Sequence, residues 1–313
     1  MPNIKPRFIN AIGTPLDGDE GLHVDGLHRH LDDQWSNGID GVLVAGTMGL
    51  LQLLRDETYR QLVVHSLECS QGRGELLVGA GDTSFVRTRD RIEYLNRFKL
   101  DGVVVLSPFF IRFNQHELVD YYTALANMSR HPLYMYHLPV LTGAELTLET
   151  VVQLAAHPNI CGIKCSCDWG WTRQLMDQVT GDFRIIVAQA TRVVELAKHG
   201  VVEHLDGIFS LVPRWTHAMG EACHQGQWDR AEQYQLRVKQ LLEVVQRVGV
   251  FPAFTAIANA MGIAGNFAPA PYRPLDARMR QILLEQPIVR QLISGKDEAD
   301  DTQTDSATAH RVA

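Results

Sequence analysis

"DGVVVLSPFFIRFNQHELVDYYTALANMSRHPLYMYHL", residues 101–138, sets two short apolar runs on either side of a polar break and a helix-like stretch. The runs at 102–107 and 133–138 are too short for helices and rich in Val, Leu and Tyr, so they read as buried strands. Between them "ELVDYYTALANMSR" carries apolar residues at helical spacing. The unit is strand, helix, strand, and a helical crossover makes its two strands parallel neighbours.

The pattern recurs along the chain. "RFINAIG" (7–13), "GVLVAG" (41–46), "ELLVGAG" (75–81), "CGIKCS" (161–166), "RIIVAQ" (184–189) and "GIFSLV" (207–212) bring the strand count to eight. Eight such units in one domain predict an α/β fold, a closed (β/α)8 TIM barrel over residues 1–225. A doubly wound open sheet would carry a Gly-rich phosphate turn after an early strand, and "GTMG" (46–49) is too short for one. Helical patterns continue to "PLDARMRQILLEQPIVRQLI", so residues 226–293 read as C-terminal helices packed on the barrel. Residues 294–313 are polar and acidic, the composition of a disordered tail.

The 313 residues carry a net charge of −7 with basic residues scattered, which leaves nucleic acid without an electrostatic footprint. No run of roughly 18 apolar residues predicts a membrane span, and no secretory leader stands at the start, so a cytoplasmic protein is expected. Five cysteines at irregular spacing (69, 161, 165, 167 and 223) fit a reducing compartment. "CSC" (165–167) lacks a second Cys or His pair at ligand spacing, so buried apolar cysteines are expected there and no metal.

Barrel enzymes hold their reactive groups at the carboxyl ends of strands. Of six lysines only Lys164, in "NICGIKCSCDW", stands at the end of an apolar strand. Desolvation there lowers an amine from its usual pKa of about 10.4 toward neutrality, and a neutral amine attacks ketones. The product is a protonated imine, an electron sink for breaking or making the neighbouring carbon–carbon bond without any cofactor. The alternative is a lysine that snorkels outward or pairs with Asp168. Imine chemistry needs a proton shuttle, and Tyr136 at the end of the preceding strand can supply a phenol. Tyr134 shares its face, so alternation alone does not choose between them. "AGTMGLLQLL" ends the second strand in a Gly-Thr-x-Gly turn able to aim backbone N–H groups at a carboxylate.

These pieces resemble the dihydrodipicolinate synthase and N-acetylneuraminate lyase family of class I aldolases. The resemblance runs through "GTPLD" (13–17), "GTMG" (46–49), "SPFF" (107–110), "YHLPVLTG" (136–143), "GIKCS" (162–166) and "DGIFS" (206–210), in order and at family spacing. It implies that Lys164 forms an imine with pyruvate, that Tyr136 is the acid/base, and that Thr47 and the backbone at Met48 hold the pyruvate carboxylate. It adds Phe110, Leu141 and Phe209 as substrate-binding residues, and a homo-oligomer, dimer or tetramer.

The chain departs from the family pattern at several of these positions. Met48 and Leu50 replace a hydroxyl and an acid, Phe110 replaces a tyrosine that completes a proton relay across a subunit interface, and His137 stands where Asn is common. Leu141 replaces the arginine with which dihydrodipicolinate synthases hold their aldehyde's carboxylate. Thr191 and Arg192 replace the acidic pair of the sialic acid lyases. The mouth becomes more apolar, which favours a less polar aldehyde. The function implied is a lyase that reversibly cleaves a 2-oxo acid to pyruvate and an aldehyde. The alternatives are a 2-oxo acid dehydratase or hydratase, 4-hydroxy-tetrahydrodipicolinate synthase, and a non-catalytic barrel that binds a 2-oxo acid.

Overall fold

The structure, a computed structural model, describes residues 5–295. The predicted tail lies outside the described residues from position 296 onward. The strands are β1 Arg7–Ala11, β2 Gly41–Val44, β3 Glu75–Gly79, β4 Gly102–Leu106, β5 Leu133–His137, β6 Ile160–Cys165, β7 Arg184–Val187 and β8 Glu203–Asp206. All pair in parallel in chain order, and β8 returns to β1, so the sheet is a closed eight-stranded barrel.

Helices α1 Val24–Ser36, α2 Asp56–Ser70, α3 Phe85–Leu95 and α4 Gln115–Met128 follow the first four strands in turn. The short α5 Pro139–Thr142 and α6 Leu148–Ala155 follow β5, α7 Trp169–Gln178 follows β6, α8 Val193–Lys198 follows β7, and α9 Pro213–His224 follows β8. Four more, α10 Trp228–Val248, α11 Val250–Ala260, α12 Ala277–Leu284 and α13 Pro287–Ser294, end the described chain. Among the described residues no single helix is long and apolar enough to cross a membrane.

Strand alternation divides the apolar residues into layers. Ile9, Ala11, Leu43, Leu77, Val104, Ile186 and Leu205 fill the barrel interior. Outward residues of β2 to β6 pack under the surrounding helices, whereas Phe8 of β1 joins a separate core with Phe209, Trp215 and the C-terminal helices.

The eighth strand is not where the apolar run "GIFSLV" predicts it. It is "EHLD", and Ile208–Leu211 instead forms a 3₁₀ turn whose side chains are buried beneath the C-terminal helices. The polar residues that hide this strand are held by ion pairs and by ring packing. Glu203 meets Arg184 at 2.8 Å and Arg7 at 2.9 Å, while His204 stacks on Phe8.

Glu203, Arg184, Arg7 and Glu75 are the first residues of their strands, and together they close the amino-terminal end of the barrel. Arg184 bonds Glu75 at 2.5 Å and donates to the Tyr134 hydroxyl at 2.7 Å. Tyr134 lies across Gly102 and Gly162, where an added Cβ would come within 2.4 and 2.9 Å of its ring. Tyr134 therefore belongs to the barrel floor, which separates its role from that of Tyr136.

Candidate active site

Tyr136 and Lys164 are register partners on β5 and β6, and a bulge makes them so. Leu133 pairs with Ile160 but Tyr134 pairs with Gly162, so Cys161 is an extra residue in β6. The shift of one residue sets Lys164 level with Tyr136 and on the same face. Both side chains are buried, and the lysine Nζ lies 3.9 Å from the centroid of the phenol ring. Asp168, the alternative partner for the lysine, caps α7 instead by accepting from Gly170 N at 2.7 Å and Trp171 N at 3.3 Å.

The phenol is surrounded by donors. Thr47 Oγ1 donates to the Tyr136 hydroxyl at 3.3 Å, and Lys164 and Ser166 stand close enough to favour its phenolate. Burial alone would raise the phenol's pKa, but the Lys164 charge and these donors outweigh it and hold Tyr136 below the ordinary tyrosine value. Ser166 has no role in the sequence reading. Its position two residues after Lys164, on the same strand face, is the signal that could have identified it.

Thr47 is delivered by a strained turn. Ala45 at its start and Leu50 at its end have φ of +52°, a region that non-glycine residues seldom occupy. The Ala45 carbonyl lies 1.9 Å from where a Cβ on Gly79 would stand, so the turn fits against β3 only because residue 79 is glycine. The turn, with Leu106 and Tyr136, lines a narrow cleft. Met48 leaves this turn to lie over Gly207, where a Cβ would fall 2.9 Å from its Sδ, and it bridges the interior cluster and the C-terminal core.

The remaining expected residues divide between the mouth and other places. Leu141 is on α5, exposed at the rim beside Val140. Phe110 is 90 % exposed, with φ of +78°, and does not line the cleft of its own chain; Phe109 packs on the barrel interior in its stead. Phe209 is fully buried, edge-on to Phe8, and faces the helices rather than the mouth. The 3₁₀ turn after β8 thus sets the Phe209 side chain in the C-terminal core. His137 also points away from the site. It stacks on Trp171 at 4.5 Å and accepts from Leu146 N at 3.5 Å, so it packs the loop after β5.

Asp206, at the end of the true β8, lies within electrostatic reach of Lys164. Burial raises its pKa, opposed by N–H groups including that of Ile208 at 3.1 Å and by the Lys164 charge. Behind the lysine strand, Cys167 has its thiol drawn below the ordinary range by hydrogen bonding with Cys165, and by His137 and Thr172, against the effect of burial.

A closed parallel barrel with a buried lysine and a phenol face to face at the ends of adjacent strands has the construction of a class I aldolase-type lyase. The chain belongs to the dihydrodipicolinate synthetase family, whose model matches residues 5–287. It is 25 % identical over 276 residues to the 4-hydroxy-tetrahydrodipicolinate synthase of Exiguobacterium sp., covering 88 % of this chain and 94 % of that one. It is 30 % identical over 205 residues to the enzyme of the same name from Stenotrophomonas maltophilia, covering 65 % and 68 %. Among solved structures, a prophage protein of the dihydrodipicolinic acid synthase family from E. coli K12, in complex with pyruvate, superposes with a TM-score of 0.83. That pair is 22 % identical, with 92 % of this chain and 98 % of the other covered, a likeness of fold.

Proposed function

We propose that this chain is a Schiff-base-forming lyase that reversibly cleaves a 2-oxo acid to pyruvate and an aldehyde, with Lys164 as nucleophile and Tyr136 as acid/base. The observation that carries the reading is the Lys164 Nζ held 3.9 Å from the Tyr136 ring, with Thr47 on the phenol oxygen. Lys164 passes its ammonium proton to the Tyr136 phenolate and adds as an amine to the 2-oxo carbon, Tyr136 returns the proton to the departing hydroxyl, and water leaves a protonated imine. The substrate's C4 hydroxyl gives its proton to the Tyr136 phenolate, the C3–C4 bond breaks, and its electrons flow into the imine as the aldehyde departs. Tyr136 returns that proton to C3 of the resulting enamine, and addition of water to the imine releases pyruvate and restores the amine.

The Thr47–Met48 turn is the carboxylate site in this reading, since its backbone N–H groups can meet an anion without a cationic side chain. Met48, Phe109, Leu138 and Leu141 favour a weakly polar aldehyde. The names of the relatives favour a second reading, 4-hydroxy-tetrahydrodipicolinate synthase. Leu141, in the position of that enzyme's arginine, speaks for the first. The imine is itself the electron sink, so neither reading needs a metal or organic cofactor.

We assign residues 226–293 as an extension of the barrel rather than a second domain, because α10 and α11 share one buried core with α9 and Phe8. Exposed Phe110, Ile111, Val140 and Leu141 suit burial against a second copy, in support of a homo-oligomer, and the ligands are small molecules in the cytoplasm.

Borohydride reduction in the presence of pyruvate, followed by intact mass and peptide mapping, tests the imine. A pyruvyl adduct on Lys164, lost in Lys164→Ala, is expected. No adduct with pyruvate or any other 2-oxo acid would overturn the mechanism. A panel of aldehydes, with and without carboxylates, then separates the two readings.

A further inference from the structure

We propose a divalent transition-metal site on the outer helical layer, formed by His28 of α1 with His65 and Glu68 of α2, that takes Zn²⁺ or an ion of similar chemistry. His65 and Glu68 are three residues apart and share one face of α2, and α1 lies alongside. The imidazole rings of His28 and His65 have centroids 5.4 Å apart, and His65 Nδ1 is 3.2 Å from Glu68 Oε2. One donor atom from each of the three residues falls within 4.8 Å of the other two. Small side-chain rotations bring such a set to the spacing of ligands around one ion.

A second observation points to a ligand. The half-buried His28 ring has its Nε2 shielded from solvent with no hydrogen-bond partner, beside two residues that can share an ion with it. A shielded nitrogen left unpaired is disfavoured, and a ring held or turned toward an ion has a partner in it. Two imidazoles and one carboxylate make a borderline donor set that suits Zn²⁺, Co²⁺ or Ni²⁺, with water completing the shell. Mg²⁺ and Ca²⁺ prefer oxygen ligands and would find only one here. Spacing along the chain does not reveal the cluster, since His28 and His65 stand 37 positions apart on two helices. The bound ion would tie α1 to α2 and leave the Lys164 site untouched.

The test uses the full chain, stripped with a chelator and dialysed. Calorimetric titration with Zn²⁺ is expected to show one site, and saturating Zn²⁺ to raise the melting temperature. His65→Ala and Glu68→Gln, at positions whose side chains are 29 % and 61 % exposed, should each weaken binding about tenfold or more and abolish the thermal shift. His28→Gln should do the same; if it fails to fold by circular dichroism, the two α2 variants decide. Co²⁺ in place of Zn²⁺ should give ligand-field bands without thiolate charge transfer. Unchanged affinity in both α2 variants, a thiolate charge-transfer band from the Cys165–Cys167 region, or no binding at all would overturn the site.

Discussion

The Lys164 Nζ stands 3.9 Å from the centroid of the Tyr136 ring, and the two residues face each other because β6 carries one extra residue at Cys161. A single backbone irregularity thus sets the geometry on which the proposed chemistry rests.

Removing the phenol tests its role directly. Tyr136→Phe should lower kcat for cleavage of a 2-oxo acid by about 10²- to 10⁴-fold, with the fold unchanged by circular dichroism. Thr47→Val removes one donor to the phenol oxygen, so the phenolate loses stabilisation and its pKa rises. The alkaline limb of the pH–rate profile should move upward in that variant, and a limb that stays in place would remove Thr47 from the relay.

Gly79 supports the turn that carries Thr47. A methyl group there would collide with the Ala45 carbonyl, 1.9 Å from the added carbon, and push the turn off β3. Gly79→Ala should therefore lower kcat/KM by about a hundredfold, the scale of a displacement near 1 Å. Steady-state kinetics with a melting curve separates this from general unfolding.

At the opposite end of the barrel, Glu75→Ala would leave Arg184 short of one of its two carboxylates. The expected cost is about 3 kcal/mol in urea unfolding, the usual size when one partner of a largely buried ion pair is lost. Turnover should change little, because the floor lies below the interior layer. A stability change near zero would show that water replaces the carboxylate.

Two buried histidines should make the protein acid-sensitive. Burial lowers the pKa of His30 and of His204 from 6.5 to about 4. The unfolded chain takes up protons near pH 6.5 while the folded chain does not until about pH 4, so stability is whole above pH 6.5 and is lost as pH falls through that window. Each histidine accounts for about 3 kcal/mol. Urea midpoints measured from pH 7 to pH 4 should fall steeply, and less so in His204→Phe, whose ring can keep the contact with Phe8.

Much of the barrel was legible because parallel strands covered on both faces read as unbroken apolar runs. β8 escaped for the same reason in reverse. Its inward Glu203 belongs to the charged floor, and the apolar run just after it is a turn buried on the other side. The displacement puts Asp206, rather than the apolar run, at the carboxyl end of the strand. Lys164 and Tyr136 stood out by their positions at strand ends, yet nothing in the spacing of residues announces the bulge that aligns them. Phe110 enters the expected site through its motif, and only the backbone shows it turned away from its own chain's cleft. The choice between Tyr134 and Tyr136 needed Arg184, whose partners lie on strands remote in sequence.

The ionic floor also bears on traffic. With Arg184, Glu75 and Glu203 sealing one end, the barrel is a cup rather than a tube, and everything enters and leaves by one opening. In the proposed reaction the aldehyde occupies the way out while the three-carbon fragment is still bound to the lysine beneath it. Departure is then obligatorily sequential, aldehyde first and pyruvate last. An aldehyde slow to leave would hold the enzyme in its covalent form.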